Sequence, residues 1–98
     1  MRIEWLPEAD ATRDDQLTYI AQDSIQAARD VAAQIDRQVG QLAQFPELGR
    51  AGRRRGTREL VISGKSLLVV YRVRPQLARI EIIRVLHTSQ QWPPGETP

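Results

Sequence analysis

The sequence predicts an α+β fold: a short N-terminal strand, then an antiparallel helical hairpin packed on one face of a small antiparallel sheet, which ends in a three-stranded C-terminal meander. Three observations predict it. Ile25, Ala28, Ala32, Ile35, Val39 and Leu42 recur at spacings of three and four, the stripe of one long helix. GTRELVIS, KSLLVVYRV and RIEIIRVLH are rich in β-branched and aliphatic residues, as strands are. The links SGK and RPQLA between these runs are short, which suits neighbouring antiparallel strands.

Taken in order, RIEWL (2 to 6) alternates as a strand does, and Pro7 stops it and opens a helix. That helix is expected over Glu8 to Gln22. Glu8, Asp10, Asp14 and Asp15 lie toward its positive end, and Leu17, Ile20 and Ala21 form an apolar stripe. Asp23 followed by Gln26 reads as a capping box for the second helix, which Phe45 and Pro46 end. Almost nothing separates the two helices, so they fold back on each other. In the middle strand Leu68, Val70 and Arg72 share one face, and Leu67, Val69, Tyr71 and Val73 the other. Strict alternation in the last strand puts Ile80, Ile82, Arg84 and Leu86 on one face and Glu81, Ile83, Val85 and His87 on the other. The helices cover one sheet face, and no predicted element covers the second.

The 98 residues make a single domain, 1 to 98, with 94 to 98 expected as a mobile tail. Hydrophobic residues at 41% and charged residues at 27% place it among globular chains. Without cysteine there are no disulfides or thiolate metal sites, and a single histidine does not make a metal centre. GRAGRRRG lacks the Lys-Ser/Thr ending of a phosphate-binding loop, so no cofactor and no metal are expected. No apolar run approaches the roughly 20 residues that span a bilayer, and MRIEWLPEAD lacks the features of a signal peptide. The expected location is the cytoplasm, with no membrane partner.

Charge is placed unevenly. Residues 1 to 47 carry four arginines against nine acids, a net of −5, and residues 48 to 98 carry ten basic residues against three acids, a net of +7. The basic half is the candidate contact surface for an anionic partner. Its densest stretch is LGRAGRRRGTRE (48 to 59), with five arginines and three glycines. Glycines there permit a turn that brings guanidinium groups to the surface. Arg72 and Arg84 lie inside apolar runs, where an unpaired charge is costly, so each must reach an anion or extend its head to the strand end. Trp92, in the irregular segment TSQQWPPGETP, is a candidate hot spot for a partner or a residue that packs back on the sheet.

YIAQDS, QLAQFPELGRAGR, GTRELVI, LLVVYRV and IEIIRVLHTSQQWP, in this order and spacing, resemble the RelE/ParE superfamily of bacterial type II toxin–antitoxin toxins, over residues 3 to 93. The resemblance implies a toxin of the plasmid-stabilisation type, neutralised by a cognate ParD-like antitoxin with a ribbon-helix-helix DNA-binding domain. Two chemistries occur in the superfamily. ParE-like members poison DNA gyrase by binding it; RelE-like members cut messenger RNA on the ribosome. RNA cleavage needs a proton acceptor, a proton donor and cations for the phosphorane-like transition state. The resemblance places Glu59 and Val61 where RelE-like enzymes carry basic residues, and Leu68 where they carry an arginine. The ParE-like branch is therefore the expectation, without an enzymatic site. Arg50, Arg58, Arg72, Arg84 and Trp92 are the expected contacts with gyrase or antitoxin, and an exposed SLLVVY run the surface the antitoxin covers. Arg53, Arg54 and Arg55 are expected only to solvate the loop. The alternative, a ribosome-dependent mRNA endonuclease, would use His87 as acid or base, with Arg84 or Arg58 as electrostatic stabiliser.

Overall fold

The computed structural model describes residues 1–90, so Trp92 and the 94 to 98 tail lie outside the described residues. Strand β1 (Arg2–Trp5) leads through Pro7 into α1 (Pro7–Ala21), and α2 (Ile25–Gly40) follows after a three-residue break. A 3-10 turn (Gln41–Ala43) extends α2, and then come β2 (Arg50–Ala51), β3 (Arg58–Val61), β4 (Leu67–Arg74), a second 3-10 turn (Pro75–Leu77) and β5 (Arg79–His87). The sheet order is β1-β5-β4-β3-β2.

The helical hairpin packs on one face of the sheet, as its periodicity requires. Val31, Ile35, Val39 and Leu42 meet Leu60, Ile62, Val69, Tyr71, Ile80, Ile82 and Val85 in one buried cluster, with Leu17 and Ile20 of α1 against it. Ile25 is 64% exposed and Val31 takes its place in the stripe, because the helix presents 28, 31, 35 and 39 rather than its first residue. The cap is Ser24, whose hydroxyl accepts from the Ala27 amide at 3.0 Å. Asp23 does not cap, and Gln26 bonds to Asp30 instead.

Three expectations about the sheet are corrected. The sheet is mixed: β3, β4 and β5 form the antiparallel meander, but β1 pairs with β5 in parallel. Nothing in RIEWL fixes its neighbour; β4 occupies one edge of β5, and β1 takes the other. Strict alternation fails in β5, where the register shifts opposite Val70/Tyr71. Beyond that bulge Val85 joins Ile80 and Ile82 in the main core, and Leu86 joins Leu68 and Val70 on the opposite face. The Val85 amide donates to Thr12 Oγ1 of α1 at 2.9 Å, so the irregularity docks the first helix.

The outer sheet face, finally, is not bare. Leu68, Val70 and Leu86 form a second buried cluster with Ile83 packed on it, so the LLVVY run offers no exposed apolar surface for an antitoxin. The arginine-rich turn lies against this face. Arg53 donates through its amide to Glu59 and through its guanidinium to Gln90 O, and Arg54, Arg55, Gly56 and Thr57 face Arg72 and Ile83 across a pocket.

Candidate functional site

The basic turn owes its position to one buried phenol. Tyr71, on the core face of β4, donates from its hydroxyl to Pro46 O at 2.8 Å and accepts from the Gly49 amide at 2.8 Å. Burial raises the Tyr71 pKa above its ordinary 10.0, offset in part by the Gly49 amide. Gly49 has no room for a side chain: a Cβ there would stand 2.7 Å from Tyr71 Cε1 and 2.9 Å from Glu59 O. The chain therefore leaves α2, is tied to the core at Pro46 and Gly49, and turns into β2 at Arg50.

Arg50 pairs with Glu59 across β2 and β3. Glu59 is buried on the outer face and takes Arg50 Nη2 at 3.3 Å, the Arg53 amide at 3.0 Å and Arg53 Nε at 3.6 Å. A buried carboxylate with these donors is neutralised and satisfied, and it staples the turn to the sheet. Gly56 closes the turn at φ +83°, a conformation that costs glycine nothing.

Arg72 and Arg84 both find anions. Arg72 Nε donates to Glu81 Oε1 at 2.6 Å, and Glu81 also takes Arg79 Nη2 at 2.6 Å and Arg74 Nη1 at 3.4 Å. The Arg72 hydrogen bond holds the Glu81 carboxyl below its ordinary value of 4.5 despite burial. Arg84, opposite Val70 in the register, reaches Glu8 Oε1 of α1 with Nη2 at 3.5 Å. Arg58 points the other way from the turn, donating to Gly49 O at 2.8 Å at the rim of an open groove of about 670 Å³. Met1, Phe45, Leu48 and Val73 also line that groove, and Phe45 is 57% exposed.

His87 ends β5, exposed, with Nδ1 2.7 Å from Ser89 Oγ and the Ser89 amide 3.2 Å from the same nitrogen. The structure does not gather His87, Arg84 and Arg58 around one point. His87 pairs with Leu67 and Arg58 with Tyr71, four residues apart along β4, a rise of about 13 Å, and on opposite flanks of that strand. Arg84 Nη2 pairs with Glu8 of α1. Among the expected partner contacts, Arg50 and Arg72 lie on the outer face with the turn, Arg58 borders the groove, and Trp92 is outside the described residues.

Sequence reasoning missed Glu81, Glu59 and Tyr71, the three groups that arrange these arginines. A single acid between Ile80 and Ile82, opposite Arg72 in an antiparallel pairing, was the available signal for the first. Among the described residues no group of three or more His, Asp or Glu side chains could hold a metal, and no helix is long and apolar enough to cross a membrane.

A helical hairpin on one face of a five-stranded mixed sheet is the α+β fold of RelE/ParE superfamily toxin structures. The fold is similar to that of a chain in the chromosomal ParDE TA system from P. aeruginosa, with a TM-score of 0.78 and 24% identity over 89% of this chain and 95% of that one. It is also similar to a chain of the toxin-antitoxin complex RelBE2 from Mycobacterium tuberculosis, with a TM-score of 0.59 and 19% identity over 88% and 95% of the two chains. Within the superfamily, residues 3–92 match the family described as "ParE toxin of type II toxin-antitoxin system, parDE", and the chain belongs to that family. A Sinorhizobium fredii protein named "Putative toxin Y4kP" is 39% identical over 92 residues, which are 94% of this chain and 93% of that protein.

Proposed function

We propose that this ParE-family toxin acts by binding and poisoning DNA gyrase in the cytoplasm, and that a cognate ParD-like antitoxin with a ribbon-helix-helix domain neutralises it. The observation that carries the reading is Glu59. At the strand position where RNA-cutting relatives need a free cation, the chain has a buried carboxylate that consumes Arg50 and Arg53. Leu68, where an arginine would act on the scissile phosphate, is fully buried in the outer cluster. Arginine stays protonated near neutral pH, so Arg72 and Arg84 supply charge but accept no proton.

A binding function suits what is exposed instead. The groove beside Arg58 offers Phe45 and Leu48 as apolar anchors, with a guanidinium at its rim, and an acidic amphipathic antitoxin segment fits that combination. The test is expression without antitoxin, scoring gyrase-linked DNA breaks against ribosome-dependent mRNA cleavage in the same cells. Breaks that disappear in a gyrase-resistant host support the reading. Transcript cleavage that a His87→Ala change abolishes, with DNA intact, replaces it with the ribonuclease reading.

A further inference from the structure

Arg54 and Arg55 are exposed and bond to nothing else through their side chains among the described residues, unlike the other arginines of the turn. They line a pocket of about 410 Å³ between the turn and the sheet, together with Gly56, Thr57, Arg72 and Ile83. Arg72 is held there from behind. Its bond to Glu81 uses Nε, so the guanidinium is oriented while its two terminal nitrogens remain to donate. Gly56, at positive φ, keeps the turn in the shape that sets Arg54 and Arg55 opposite Arg72.

We infer that this pocket binds a phosphate group carried by a nucleotide or a nucleic-acid strand. Three arginines, Arg54, Arg55 and Arg72, line one small space, and the Thr57 hydroxyl beside them donates to Arg54 O. Glu81 shows three arginines sharing the two oxygens of one carboxylate from inside the fold; an incoming phosphate has more acceptor oxygens and can take several guanidiniums at once. The pocket is also too large for a bare phosphate and lies in the size range of small-molecule sites. Ile83 gives it one apolar wall, against which a sugar or base can rest. Among the described residues the Arg54 and Arg55 charges have no acidic partner, since Glu59 and Glu81 are already taken by Arg50, Arg53, Arg72, Arg74 and Arg79. This inference does not depend on gyrase being the target, and it assigns a role to arginines whose sequence context suggests only solvation.

The experiment uses the full chain and a double variant, Arg54→Ser with Arg55→Ser. Both side chains are exposed, so the variant should fold, which its melting temperature checks. Arg29→Ser with Lys65→Ser removes the same charge at exposed positions outside the pocket and serves as the control. Amide spectra are recorded on adding inorganic phosphate, adenosine monophosphate, a single-stranded DNA oligonucleotide and an oligoglutamate peptide. Shifts centred on Gly56, Thr57 and Ile83 are expected with each phosphate-bearing ligand, and the relative affinities of nucleotide and strand identify the source. Oligonucleotide binding should weaken about tenfold or more in the pocket variant and by less than about twofold in the control, with the salt slope of log K reduced by about 2 only in the former. Equal losses in the two variants, no shifts at these amides, or tighter binding of the oligoglutamate than of the strand would overturn the inference.

Discussion

Folding shifts the protonation of Glu81 and of Tyr71, and both shifts can be tested one residue at a time. Folding lowers the Glu81 pKa, so between the two values the unfolded chain binds more protons than the folded one, and stability rises with pH there. The contribution is complete above the unfolded value near 4.5 and is lost as pH falls through the lower folded value. Denaturant midpoints measured from pH 7 to pH 3 should therefore show an acid limb that flattens in Glu81→Gln. Because Arg72 is partly exposed, the variant should cost only about 1–2 kcal/mol at neutral pH. For Tyr71 the sign is reversed: its raised pKa stabilises the fold below pH 10.0, and this is lost as pH rises through the folded value. Tyr71→Phe leaves the Gly49 amide and Pro46 carbonyl without their partner, at a cost of about 2 kcal/mol. A variant as stable as the parent in urea would show that the phenol does not fasten the basic turn.

At the scale of elements, β3 shows how an edge is kept from pairing with another chain. Past the two residues of β2 its edge is open, and Gln38 of α2 covers its end, donating to Val61 O at 3.5 Å and accepting from the Ser63 amide just beyond the strand at 2.8 Å. Gln38→Ala should cost about 1 kcal/mol and speed hydrogen exchange at Ser63 while Ile62 stays protected. Unchanged exchange at Ser63 would mean that water serves that amide equally well. Both helices, their hairpin and the three C-terminal strands were legible in the sequence, because stripe periodicity and β-branched runs are local signals. Three features were not. The parallel seating of β1 depends on which edge of β5 is vacant, the bulge in β5 on a pairing with β4, and the outer cluster of Leu68 and Val70 on Ile83 and Leu86 brought beside them by β5. Each is set by residues far apart, so no window of sequence contains it. The candidate site was legible as a concentration of arginine, but its division into bound and unbound guanidiniums required Glu59 and Glu81 to be seen in place.

Over the whole molecule, the charge asymmetry of the sequence becomes two surfaces. Half of the acids sit on the two helices, and the C-terminal half turns a basic sheet face and turn outward, with Glu59 and Glu81 absorbed in ion pairs. This arrangement gives a small protein one strongly oriented field without a large net charge, which favours salt-sensitive docking on a macromolecule. On the proposed function, the chain grips its target and does not cut it. The most direct measurement adds purified protein in parallel to gyrase on plasmid DNA and to ribosomes translating a labelled message. Stabilised gyrase cleavage complexes, suppressed by an excess of antitoxin, are expected beside an intact message; a trimmed message beside unaffected gyrase would show that the protein is a ribonuclease instead.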